Sequence, residues 1–278
     1  FGFEGKTDSV SIKPISPVSK DFKYIVSKDP KKDTLNLWYS PKQKDSLVFT
    51  VAKQKKIDTF KVRIKEMKND SLQIENLFSG DLPMYKDFGF RSNIPIVKTD
   101  STKLKVFAGK DSTAVAVPFK TQLAPNRLEY YVLFDKKNDE TYRIEALPNA
   151  LTDFFGHTND TLKVNLHTKK LEEVAIFKLH LNTDEKTLQY PVILQLTNEK
   201  ATEVVRELYV EKPQSQYLFE NVNPSKFRLR LIEDKNANRE WDTGSFLEQR
   251  QPERVWYFPQ LIELRANWEV EETWSINE

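Results

Sequence analysis

The strongest chemical candidate in this 278-residue chain is the run Asp234-x-Asn236-x-Asn238-x-Glu240-x-Asp242, with oxygen-bearing side chains at alternate positions. A tight loop turns positions 1, 3, 5 and 9 inward and offers the backbone carbonyl of position 7, and a calcium ion wants that oxygen shell. On that mapping Asp234, Asn236, Asn238 and Asp242 give side-chain oxygens and Glu240 gives its carbonyl. Calcium is the cofactor this spacing suggests. Two residues depart from the pattern: Arg239 stands where the sharp turn favours glycine, and Ser245 where a bidentate acid is expected, with Glu248 as a substitute further along. The alternative is an Asx-turn loop that caps itself without metal.

Other chemistry is thinly represented. There is no cysteine, which excludes disulfide scaffolds, thiolate metal sites and cysteine nucleophiles, and there are three histidines, His157, His167 and His180. Neither a phosphate-cradling glycine loop nor a G-x-S-x-G nucleophile motif occurs among seven glycines. The adjacent acids Glu172-Glu173, Asp184-Glu185 and Glu271-Glu272 point to opposite faces if they lie on strands, so they form no acid–base dyad. Aromatic side chains are plentiful, and Trp38, Tyr39, Trp241, Trp256, Tyr257, Trp268 and Trp274 are read as packing residues unless exposed. Trp256-Tyr257-Phe258-Pro259 is the exception. Its consecutive rings cannot all face one core, so Trp256 and Tyr257 are the candidate interaction residues.

The elements that must position these residues are strands. Thr34 to Tyr39, Phe60 to Ile64, Lys103 to Phe107 and Phe227 to Leu231 alternate apolar with polar residues, and the segment Glu199 to Val210 reads as a strand as well as a helix. The expected class is all-β. Asp followed by Ser or Thr recurs before apolar runs at Asp8, Asp33, Asp45, Asp58, Asp70 and Asp160, as if ending turns and starting strands. The cadence suits antiparallel β-sandwiches. Three segments are expected: 1–73 as the later part of a sandwich begun upstream, 74–168 as a second β unit, and 169–278 as a third. Only 38% of residues are hydrophobic, yet 33 rings can fill small cores.

Charge is uneven along the chain, with net +7 over 1–70 and −4 over 214–278, against +2 overall. The lysines are spread between strands and form no cluster, so no nucleic-acid partner is expected. No stretch approaches the ~20 apolar residues of a membrane helix, and Phe1-Gly2-Phe3-Glu4-Gly5 is not a signal peptide.

Ala146 to Leu162, with Asp153, Phe154, Phe155, Gly156 and His157, resembles the closing signature of bacterial Ig-like domains. There Asp153 would cap a turn, Gly156 would take a positive φ, and Phe154 or Phe155 would plug the sandwich base. Tyr217 to Leu231 resembles the transthyretin-like or carboxypeptidase-regulatory β-sandwich, whose aromatic strand, Pro-containing turn and second aromatic strand form a central hairpin. Together with Asp234 to Gly244, Arg265-Ala266-Asn267-Trp268 and Glu271-Glu272-Thr273-Trp274, the chain resembles Ig-like lipoproteins of Bacteroidota outer membranes. That resemblance implies tandem Ig-like and transthyretin-like sandwiches and a non-enzymatic scaffold at the outer membrane, with protein partners in the cell envelope. It also implies that the only membrane attachment is a lipidated cysteine upstream of Phe1. A glycan-binding module using exposed tryptophans is the alternative, and the accessory domain of a peptidase a third.

Overall fold

The period-2 alternation is realised as strands almost throughout, and no α-helix occurs among the described residues, which are 10–16, 18–29, 34–40, 46–53, 56–63, 71–110, 113–183, 187–244 and 249–276 of a computed structural model. Asp8, Asp33, Asp45, Asp70, the pair Asp184-Glu185, Ser245 and Glu248 lie outside the described residues. The protein is all-β. Its packing forms two compact units, one of Phe1–Leu82 with Lys86–Thr168, the other of Pro83–Tyr85 with Lys169–Glu278. The expected segments 1–73 and 74–168 thus fall in one unit, although each has its own buried cluster.

In the first segment β1 (Val10–Pro14) pairs with β4 (Ser46–Lys53), and β4 with β5 (Lys56–Arg63); β2 (Lys23–Lys28) and β3 (Leu35–Ser40) form a separate antiparallel pair. Ile12, Leu35, Leu47, Phe49 and Val51 make a small core, flanked by Phe22, Val26, Leu37 and Tyr39. Strand β5 keeps the expected alternation, with Phe60 and Val62 on one face and Lys61 and Arg63 on the other. All eight of its residues are exposed, including Phe60 and Val62 on the core-facing side, because it is the outermost strand. Asp58 sits mid-strand opposite Val51, so at this position the Asp-Thr unit does not end a turn.

The next eleven strands are β6 (Ile74–Asn76), β7 (Gly80–Asp81), β8 (Phe88–Ser92), β9 (Ile96–Thr99), β10 (Leu104–Ala108), β11 (Val115–Ala116), β12 (Phe119–Leu123), β13 (Glu129–Phe134), β14 (Thr141–Ala146), β15 (Leu151–Asp153) and β16 (Leu162–His167). They build a sandwich of two sheets, β11-β10-β14-β16-β7 and β12-β13-β8-β6, with β15-β9 as a short pair. Phe88, Phe90, Tyr130 and Val132 of one sheet meet Val106, Ile144, Val164 and Leu166 of the other, each at most 6% exposed. Most pairing is antiparallel, but β7 runs parallel to β16. Gly89 is needed in β8 because a Cβ there would lie 3.0 Å from the Tyr130 carbonyl and 2.9 Å from Leu77.

The second unit has β17 (Ala175–Asn182), β18 (Val192–Asn198), β19 (Val204–Val210), β20 (Tyr217–Val222), β21 (Ser225–Glu233), β22 (Val255–Tyr257), β23 (Ile262–Leu264) and β24 (Glu269–Ser275). The sheets are β20-β17-β24 and β19-β18-β21-β22, with β23 also on β21. The aromatic stretch 217–231 is not the hairpin that the transthyretin-like resemblance implies. Its turn carries the chain from one sheet to the other, so Phe219 and Phe227 enter the same core from opposite layers. The segment 199–210 is a turn followed by β19, and β24 lies parallel to β17.

The loop closing the second segment shows how a turn is fixed. Asp153 is fully buried; its Oδ1 accepts the backbone N–H groups of Phe155 (2.9 Å) and His157 (2.8 Å), and its Oδ2 meets His157 Nδ1 at 2.8 Å. Gly156 completes the turn with φ of 93°. Phe155 does not plug the sandwich base: it is 45% exposed, its ring 6.5 Å from that of Trp38. Asp153→Ala removes the acceptor from two N–H groups, and the expected loss is about 2–3 kcal/mol in urea unfolding. His157→Ala removes one partly exposed contact and should lose no more than about 1 kcal/mol in the same measurement.

Candidate functional site

The loop after β21 is held by its own acids and amides. Asp234 is fully buried, and its carboxylate accepts N–H groups of Asn238 (3.1 Å) and Arg239 (2.8 Å). Asn236 Oδ1 accepts the Asn238 N–H at 3.2 Å, and Asn238 Oδ1 accepts the Glu240 N–H at 2.9 Å. These are successive Asx turns, each folding the chain back on a side chain two residues behind. The amides of Asn236 and Asn238 both donate to Asp242 Oδ2, at 2.5 and 2.8 Å. The structure therefore gathers Asp234, Asn236, Asn238 and Asp242 around one small volume. Glu240 is exposed and takes part here through its backbone N–H.

Arg239 makes the sharp turn for which the calcium-loop pattern favours glycine. Its φ is 64°, a left-handed conformation that costs a side-chain-bearing residue about 1 kcal/mol or more. Its guanidinium compensates by lying over the Tyr209 ring, 4.4 Å from the centroid. Desolvation, followed by the charge of Asp234, pushes the Tyr209 phenol above the ordinary range. Beside this pair Tyr209, Glu211, Lys212, Gln214 and Arg239 line an open cleft of about 500 Å³.

Sequence reading missed Glu253. It is 6% exposed, and its two oxygens accept the N–H groups of Lys235 and Asp242, both at 2.9 Å. Trp241 closes over it, donating Nε1–H to the Glu253 carbonyl at 3.1 Å. Pairing across 11 residues leaves no local pattern. Gly244 is placed by close packing and not by a positive φ: a Cβ would lie 3.0 Å from the Arg250 carbonyl and from Pro252 Cδ.

Trp256 and Tyr257, on β22, point to opposite sides. Trp256 packs against the core of the second unit, donates Nε1–H to Glu233 Oε1 at 3.4 Å and lies under the Arg254 guanidinium. Tyr257 is 63% exposed, and Phe258 returns to the core against Trp274. Only Tyr257 of the pair is presented to solvent, along with Trp241 and Trp268 elsewhere in the unit. Glu172 and Glu173 lie on a 3-10 turn, Leu171–Glu173, and not on a strand; Glu173 caps the Lys170 N–H. Among the described residues no three His, Cys, Asp or Glu side chains are grouped as metal ligands.

No protein-family model and no curated protein matches the sequence. Solved structures give distant likenesses. The N-terminal part of the bacterial S-layer protein SbsC aligns at TM-score 0.31 and 11% identity, over 60% of this chain and 41% of that solved part. The major pilin subunit of Bacillus cereus aligns at TM-score 0.24 and 11% identity, over 97% of this chain and 94% of the pilin. The Bacillus anthracis TIE protein aligns at TM-score 0.23 and 10% identity, over 76% of this chain and 41% of that one. At such scores the likeness carries no argument about function.

Glu253→Ala tests the frame of the loop. Two backbone N–H groups lose their acceptor, so the expected cost is about 2–3 kcal/mol in denaturant unfolding, with the loop's amide exchange accelerated first.

Proposed function

We propose that this chain is a non-enzymatic Ig-like scaffold of the cell envelope, part of a lipoprotein at the outer membrane that holds protein partners. One observation supports the reading most: the buried carboxylates Asp153, Asp234 and Glu253 are each engaged by backbone N–H groups of turns. Such groups act as structural caps, where a general acid or base needs a side facing substrate. The placement at the outer membrane and the lipid anchor rest on the sequence resemblance alone. Affinity purification of the full-length protein from its native envelope, read by mass spectrometry, should recover the same envelope proteins reproducibly. High-yield recovery of the protein alone would sink the reading.

The calcium reading of Asp234, Asn236, Asn238, Glu240 and Asp242 belongs to this proposal. Its support is the residue types and the left-handed turn at Arg239, the position where calcium loops carry glycine. Calcium at fifty times its dissociation constant stabilises by about 2 kcal/mol. Saturating calcium should then raise the melting temperature of chelator-treated protein by several degrees. Equal melting temperatures with and without the ion would remove the metal.

The glycan alternative, a module using exposed tryptophans, is supported by the exposure of Trp241 and Trp268 together with that of Tyr257. A glycan array with hits that disappear in Tyr257→Ala would establish it; an array without hits would end it.

A further inference from the structure

Two sheet edges, one in each unit, carry opposite charge. The first is β5, which among the described residues pairs with β4 on one side only. It is eight residues long and exposed throughout, with Ile57 68% and Val62 43% accessible. A long edge of this kind presents a row of backbone donors and acceptors to any strand that can approach. Lys61 and Arg63 project from one face, and Val62, opposite Leu47, from the core-facing one. The second edge is β24, bonded to β17 on one side among the described residues. Glu269 and Glu271 project from its outer face, with side chains 51% and 59% exposed, and pair there with the half-buried Lys178 and His180 of β17. Val270 lies on the side of the buried Trp274.

We propose that β5 of one copy adds antiparallel to β24 of a second copy. In one register Arg63 stands opposite Glu269, Val62 opposite Val270, and Lys61 opposite Glu271. The valines lie on the core-facing side, where the register also sets Phe60 opposite Glu272 and Asp58 opposite Trp274, and the ion pairs share the other face. Such directly opposed pairs are the unit of sheet stabilisation. Self-pairing of either edge is disfavoured, since β5 against β5 gathers cations and β24 against β24 gathers carboxylates. Charge therefore selects the mixed seam. Because the two surfaces differ, the contact is heterologous and propagates head to tail. A single added strand buries less than the roughly 1,200 Å² of stable interfaces, so association is weak and depends on concentration.

This inference goes beyond the scaffold reading and does not rest on it; a strictly monomeric chain leaves that reading intact. Sedimentation of the 278-residue chain should show a weight-average mass rising above 32.6 kDa with concentration at low ionic strength, and returning to it in high salt. Lys61→Glu with Arg63→Glu, and separately Glu269→Lys with Glu271→Lys, should each abolish the rise. An equimolar mixture of the two variants should restore it, since each supplies the edge that fits the other. Circular dichroism matching the wild type confirms that these exposed substitutions leave the fold in place. Because the chain has no cysteine, Val62→Cys mixed with Val270→Cys should give, under dissolved oxygen as oxidant, an intermolecular disulfide in higher yield than either variant gives alone. A single-chain mass at every concentration, a mixture that stays monomeric, or an association that survives Lys61→Glu with Arg63→Glu would each overturn the proposal.

Discussion

A two-layer sandwich buries one face of most of its strands, and the turns at its ends must therefore satisfy their backbone N–H groups without the ladder that serves the strands. In this protein buried carboxylates meet that demand. Asp153 holds the turn at Phe155 and His157, Asp234 the turn at Asn238 and Arg239, and Glu253 ties Lys235 to Asp242 across the sequence. A carboxylate that accepts several N–H bonds gains charge-assisted contacts and avoids the penalty of an unpaired buried charge. The geometry of both long loops follows from these bonds.

Between the turns, rings do the filling. Phe177 and Phe219 stack in the second unit with centroids 5.8 Å apart, and Phe88 meets Phe90 edge-on at 5.0 Å. Thin sandwiches composed largely of charged and polar residues depend on such large side chains, since each removes far more surface from water than an aliphatic residue. The three buried clusters are separate, and the first is the smallest. A small core leaves its outer strand uncovered, which is why β5 keeps apolar residues at the surface. Lysine and arginine on that strand restrict which neighbours it accepts.

The comparison of sequence and structure turns on particular elements. Alternation identified β3, β10 and β21 with their inward residues, since Leu104 and Val106, or Phe227, Leu229 and Leu231, are buried as a period of two requires. Alternation at β5 identified the apolar face but not its exposure, because the pattern reports which face is apolar and not whether anything covers it. The 217–231 stretch was legible as two aromatic strands but not as strands of different sheets; a short turn is compatible with a hairpin or with a crossing between layers. Asp234, Asn236, Asn238 and Asp242 were legible as one loop because their spacing is local.

By itself, then, the sequence determined the all-β class, the Asx turns of the 234–242 loop, and the opposite facing of Trp256 and Tyr257, because each depends on neighbours within a few residues. Tertiary structure alone decided that Glu253 closes that loop, that Tyr209 carries the Arg239 guanidinium, and that β5 and β24 stand at sheet edges. Those outcomes depend on which strands meet across the fold. Pairing between distant strands is set by the summed burial of both layers, and no local spacing encodes it.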